Sequence, residues 1–262
     1  MADALMNHRE LLLRTDDGAH IAIDHHFSGN NDAVIVAPGF FQSKGTLTYR
    51  RIIRGLRRRY DVVAMDFRGH GRSTGRYTFS SKEAADLDRV ARYASLHHER
   101  LWVLGFSYGG SIALLTQYRT PWFAGIICVG SPMDPAQIEL EWWRKSSFRS
   151  GRRSLERGTG CRIGSVWSPK LPAVEAVRLI ADIPLCFIHG DEDRIVYPRH
   201  SVGLYEAASG PRSLRIIAGG GHAEDLFRTH ETEMWDFIFA WFEHHIPGKL
   251  KGSGITPKAR LI

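Results

Sequence analysis

The segment Gly105-Phe106-Ser107-Tyr108-Gly109-Gly110 sets a serine midway between two glycines, directly after the apolar run 101–104 and directly before the helical run 112–115. A serine on so tight a strand-to-helix turn is a nucleophile elbow: its backbone is strained, and only small residues two positions before and after it avoid collision. The turn lifts the Ser107 hydroxyl above a sheet, where backbone N–H groups at the start of the next helix can meet an oxyanion. The chemistry this predicts is acyl transfer through a covalent ester on Ser107.

Such a serine needs a base. Of the 13 histidines in the chain, His222 follows a late strand-like run, 214–217, behind Gly219, Gly220 and Gly221, whose freedom lets a short loop carry an imidazole over Ser107. His230 is the nearest competitor, but it begins a helix. His244 and His245 adjoin at a helix end and are read as exposed. The chain has no His-Glu-x-x-His, no Cys-x-x-Cys and no phosphate loop, so neither a metal nor another cofactor is expected. Its three cysteines are far apart, and Cys128 and Cys186 sit in apolar runs where a thiol acts as a small buried hydrophobe.

Positioning these groups requires a sheet. Two alternating runs, 10–14 and 20–27, flank the turn residues Asp16, Asp17 and Gly18 and read as a β-hairpin. Thereafter apolar strands alternate with helical patterns: strands at 33–37, 62–66, 101–105, 125–130, 183–189 and 214–217, helices near 47–59, 81–97, 108–118 and 231–245. Alternation of this kind implies right-handed βαβ units and a parallel sheet. The expectation is an α/β fold with a mostly parallel eight-stranded sheet flanked by helices and a small cap inserted after the sixth strand. Residues 1–130 and 182–246 would form the core. Residues 131–181, aromatic and basic without a strand-like run, would form the cap, and 247–262 a loose tail.

With its elbow and this alternation, the chain resembles the α/β-hydrolase superfamily. The run Asp66-Phe67-Arg68-Gly69-His70-Gly71-Arg72-Ser73 matches the turn before that superfamily's second crossover helix, and His70 is read there as structural. A dinucleotide loop would need a third glycine at Thr74. Ala37-Pro38-Gly39-Phe40-Phe41 stands where the superfamily usually has His-Gly, with Pro38 in place of the histidine. The resemblance implies an oxyanion hole made by the backbone N–H groups of Phe40 and Tyr108, with Phe41 as the alternative to Phe40. It also implies the acid: in His189-Gly190-Asp191-Glu192-Asp193-Arg194-Ile195-Val196, Asp193 lies three residues after glycine and three before valine. Asp191 and Glu192 are close rivals, and Asp134 is the position some branches use. The stretch 66–93 is similar to bacterial esterases and lysophospholipase-like hydrolases; the serine at 107 excludes the dehalogenases, which carry aspartate there.

What this implies is a serine hydrolase, carboxylesterase-like, cleaving esters of small or medium apolar acyl groups, with a thioesterase or lysophospholipase as alternatives. A ligand receptor with slow turnover is the alternative of another class. Phe41, Trp142 and Trp143 are candidates for lining the substrate site, as are Phe40, Phe148 and Trp167, although the tryptophans could equally form a core of the cap itself. The net charge of +7 is concentrated in two places. Arg50, Arg51, Arg54, Arg57, Arg58 and Arg59 lie on one helix and are read as a solvated surface, so no nucleic acid is expected. Residues 144–178 hold nine Lys or Arg against two Glu, which could attract an anionic substrate or simply solubilise. No apolar run is long enough for a signal peptide core or a membrane span, so no stable membrane anchoring and a cytoplasmic setting are expected.

Overall fold

The computed structural model of the chain describes residues 7–138, 158–165, 167 and 170–246. Eight strands form one sheet in the order β1-β2-β4-β3-β5-β6-β7-β8. They are β1 (Asn7–Arg14), β2 (His20–Phe27), β3 (Asp32–Ala37), β4 (Asp61–Met65), β5 (Arg100–Phe106), β6 (Phe123–Val129), β7 (Leu185–Gly190) and β8 (Arg212–Ile217). The β1–β2 and β2–β4 pairings are antiparallel and all others parallel. The predicted entry hairpin and mostly parallel sheet are therefore both present.

The central strands read as unbroken apolar runs because each is covered on both faces. Ala33, Ile35, Ala37, Leu101 and Val103 face one core. Val34, Val36, Trp102, Leu104 and Phe106 face the other. Helices α2 (Glu83–Ala94), α3 (Tyr108–Arg119), α4 (Ala173–Val177) and α5 (Arg199–Ala207) cover the first face. Helices α1 (Leu47–Leu56), α6 (Leu226–Thr229) and α7 (Glu231–His245) cover the second. In α1, Tyr49, Ile52, Ile53 and Leu56 recur at helical spacing and are buried, which turns Arg50, Arg51 and Arg54 outward. The sequence reading places no helix between β7 and β8, yet α5 lies there: its run Arg199-His200-Ser201-Val202-Gly203 offers no apolar stripe, and packing on the sheet supplies what periodicity lacks.

The order of the strands decides where a site can form. The chain leaves β3 for α1 on one face of the sheet and leaves β5 for α3 on the other. Their carboxyl ends therefore open a crevice between two adjacent strands, the place where ligands bind in open α/β sheets.

Much of the expected cap, 139–157, lies outside the described residues, as do Trp142, Trp143, Phe148 and the tail 247–262. Of the remaining insertion, Ile163 bridges to Tyr77 and α4 packs on α3. Trp167 is 91% exposed.

Candidate active site

Ser107 sits at the crevice, where β5 ends. Its φ of 49° and ψ of −124° lie outside the ordinary regions for a residue with a side chain, a strain that the surrounding packing must hold in place. The flanking glycines explain why the turn is possible. A Cβ on Gly105 would come within 2.6 Å of the Gly110 Cα, and one on Gly109 within 2.2 Å of the Ala37 carbonyl oxygen. The Ser107 N–H donates to the Val129 carbonyl at 2.8 Å, which ties the elbow to the neighbouring strand.

The predicted acid and base meet. His222 Nδ1 lies 2.6 Å from Asp193 Oδ2, both side chains being buried. The other Asp193 oxygen accepts the N–H groups of Ile195 at 2.8 Å and Val196 at 3.0 Å. His189 Nε2 stands between the Val196 carbonyl at 2.8 Å and Asp193 Oδ2 at 3.1 Å. A carbonyl only accepts, so this nitrogen carries a proton and Nδ1 accepts from the Ser201 hydroxyl at 2.6 Å. Burial alone would raise Asp193; the adjacent His222 and the His189 N–H outweigh it and hold the carboxyl well below the usual range. Burial likewise works against a charged His222, but Asp193 prevails and holds its pKa above the ordinary 6.5. Glu224 is buried beside this pair, and burial pushes its carboxyl up to about 7.

Of the rivals of Asp193, Asp191 and Asp134 have carboxylates engaged elsewhere, and Glu192 is exposed. Asp191 accepts the Gly219 N–H at 2.7 Å, and the Glu192 N–H donates to the Gly220 carbonyl at 2.9 Å, so both stitch the acid loop to the histidine loop. Asp134 caps a short turn by accepting the Ala136 N–H. The histidine loop then packs on the end of β6: a Cβ on Gly130 would lie 3.0 Å from the Ala223 nitrogen, and Phe227 packs against Phe106 with ring centroids 5.8 Å apart. His222 is thus brought to the end of the sheet where Ser107 sits.

The loop after β3 lies against the elbow, with a Cβ on Gly39 reaching 3.1 Å from the Ser107 Cβ. The Gly39 N–H donates to the Tyr49 hydroxyl at 3.1 Å, and the Phe41 N–H to His70 Nε2 at 3.0 Å. By contrast, the N–H groups of Phe40 and Tyr108 meet no acceptor among the described residues. Phe41 itself is half exposed and has a φ of 71°. Between the alternatives left open by the sequence, Phe40 is the residue with a donor to offer.

Three residues here, Tyr77, Phe79 and Glu83, escape a sequence reading. Phe79 and Tyr77 pack on Phe40 with centroids 5.1 Å and 5.4 Å away, and Phe79 and Tyr108 are 6.1 Å apart, making an aromatic wall beside the crevice. Buried Glu83 holds the turn that presents Phe79 by accepting the N–H groups of Thr78 at 2.7 Å and Ser80 at 2.8 Å. The alternation of Tyr77 and Phe79 after the Gly75 turn is the one trace of this wall in the sequence.

Among known proteins, a family model described as the alpha/beta hydrolase family matches residues 34–236. The uncharacterized protein YfhR of Escherichia coli strain K12 is 26% identical over 194 residues, 70% of this chain but only 62% of that protein's length. The uncharacterized peptidase YtmA of Bacillus subtilis is 24% identical over 183 residues, covering 68% of this chain and 69% of that protein. Of solved structures, the esterase Pf2001 of Pyrococcus furiosus superposes with a TM-score of 0.74 over 91% of each chain, at 18% identity.

Proposed function

We propose, from the premise that the chain belongs to the alpha/beta hydrolase family, that it is a serine hydrolase cleaving carboxylic ester bonds through an acyl-enzyme on Ser107. The observation that carries this reading is the 2.6 Å pairing of His222 with Asp193 at the end of the sheet where Ser107 is held in its strained turn.

In the first half-reaction, His222 Nε2 takes the proton of Ser107 as Oγ bonds to the carbonyl carbon. Asp193 fixes the tautomer that leaves Nε2 free and stabilises the imidazolium as it forms. The carbonyl oxygen becomes an oxyanion facing the N–H groups of Phe40 and Tyr108, one of which is worth about 3 to 4 kcal/mol in such a hole. Collapse breaks the ester C–O bond, and His222 gives its proton to the leaving alcohol. Water, deprotonated by the same nitrogen, then attacks the acyl carbon, and Ser107 is released with the acid.

The aromatic wall of Phe40, Tyr77, Phe79 and Tyr108 supports an apolar acyl group, and Phe41 at its edge supports contact with the remainder of the substrate. Labelling with a fluorophosphonate tests the nucleophile, and p-nitrophenyl esters from acetyl to palmitoyl, with thioester and peptide-amide counterparts, test the substrate class. Covalent label on Ser107, multiple turnovers on short and medium esters, and their loss in Ser107→Ala are the expected results. A single burst of nitrophenol from the esters followed by a stall would instead mark a receptor, and unchanged hydrolysis in Ser107→Ala would overturn the assignment.

A further inference from the structure

A second cleft, of about 1100 Å³, lies between α1, the β1–β2 hairpin and residues 158–162, and neither Ser107 nor His222 lines it. Six Lys or Arg side chains face it against three carboxylates. Two of the cations are matched: Lys44 Nζ lies 2.6 Å from Asp24 Oδ1, and Arg72 pairs with Glu10. The third carboxylate, Asp66, is taken by the backbone N–H groups of Lys44 at 2.8 Å and Arg72 at 3.0 Å. Arg50 and Arg54, at positions i and i+4 of α1, therefore present two guanidiniums to the cleft, and Arg57 lines it one turn further on. Arg50 and Arg54 are exposed and have no ion pair among the described residues.

In the same cleft, His8 and His26 stack with ring centroids 4.5 Å apart, and His26 Nδ1 is buried without a hydrogen-bond partner. His26 is only 9% exposed. Burial first, then the charges of Arg57, His8 and Lys44, push its pKa down to about 4. Ligand atoms of His8, Asp24 and His26 lie within 4.8 Å of one another, a spacing that would suit a metal ion. The Lys44 ammonium already occupies the carboxylate of that trio, and the arginines add further repulsion, so a cation is the wrong guest. The unpaired guanidiniums of Arg50 and Arg54, lining the same cleft as an unsatisfied imidazole, suit an anion with several acceptor oxygens.

We infer that this cleft is a binding site for a phosphate group, carried either by a soluble phosphorylated molecule or by a lipid headgroup, and separate from the hydrolytic crevice. The test is isothermal titration of the intact protein with pyrophosphate at 0.15 M salt, alongside sedimentation with vesicles containing phosphatidic acid and with neutral vesicles. Wild type is compared with Arg50→Glu/Arg54→Glu, whose exposed positions leave folding and ester hydrolysis unchanged. Saturable binding of pyrophosphate, weakened at least about tenfold in the double variant, is the expected result for a soluble ligand. Cosedimentation with the acidic vesicles alone, lost in the double variant, identifies the headgroup source. Failure to bind either, or binding that the double variant leaves unchanged, overturns the site. Hydrolysis measured on the same samples keeps this outcome distinct from any failure of the serine-hydrolase reading.

Discussion

The Phe41 N–H donates to His70 Nε2 at 3.0 Å across 29 positions of sequence, while His70 Nδ1 lies 3.1 Å from the Arg68 carbonyl. The carbonyl fixes the proton on Nδ1 and so makes Nε2 an acceptor. Burial, ahead of the opposing carbonyl contact, holds the ring's pKa at about 4, and it stays neutral in ordinary buffers. His70 thereby pins the peptide next to the Phe40 donor and supports the left-handed Phe41. A residue read from sequence as structural is structural here in the service of the candidate oxyanion loop.

Replacing His70 should accordingly damage the transition state more than substrate binding. His70→Ala is expected to lower kcat by about tenfold to a hundredfold, the range for one lost buried hydrogen bond to a positioned loop, with KM changed far less. His70→Gln, which retains an acceptor, should recover part of the loss. Steady-state kinetics on a nitrophenyl ester decide this; equal effects on KM and kcat would mean that the loop is not being positioned.

The pH dependence follows from the Asp193–His222 pair. The base must be neutral to accept a proton, and Asp193 holds the His222 pKa above its ordinary 6.5, so kcat/KM should rise with pH along a limb centred above that value. Asp193→Asn removes the raising charge while burial persists. The limb should move to lower pH, and kcat should fall by about 10⁴-fold as the ring loses its tautomer control. A limb that does not move in the variant would assign it to another group.

Gly109→Ala tests the elbow's geometry. Its Cβ would sit 2.2 Å from the Ala37 oxygen and 2.5 Å from the Pro38 oxygen, both backbone atoms that cannot swing aside. Overpacking of this sort costs about 1–3 kcal/mol, or a Tm lowered by roughly 2–12 °C at this chain length. Fluorophosphonate labelling should slow as well, because the strain falls on the loop that bears Phe40. Calorimetry and labelling rates check the two halves separately.

A fourth expectation concerns Arg68, which is buried and holds the fully buried Asp86 through contacts of 2.6 Å and 2.9 Å, and Asp17 at 2.7 Å. Burial raises the Asp86 pKa to about 6 even with Arg68 opposing it. In Arg68→Met the opposition is gone and the carboxyl rises further, so the folded state binds a proton that the unfolded state has released. Stability then falls as pH rises from 5 to 8, and the loss relative to wild type should grow toward about 3–5 kcal/mol at neutral pH. Denaturant unfolding across that range measures it; a loss independent of pH would mean that Asp86 ionises regardless.

The sheet, the elbow and the order of the proposed serine, acid and histidine are written locally. A strand buried on both faces must be apolar throughout, a turn at Ser107 must have glycine on both sides, and a short loop must have glycine before His222, so each of these announces itself within a few residues. The resemblance favours Asp193 over Asp134, Asp191 and Glu192, and Phe40 over Phe41, but spacing alone supplies no physical reason for either. Those choices depend on which hydrogen bonds already occupy each group, and the partners are far off: His222 for Asp193, Gly219 for Asp191, His70 for Phe41. The same holds for the arginines of α1, an ordinary solvated face until the fold sets His26 and Lys44 in one cleft with them. Short-range sterics could be read in one dimension, whereas satisfaction of polar groups and summation of charge were settled only when distant segments met.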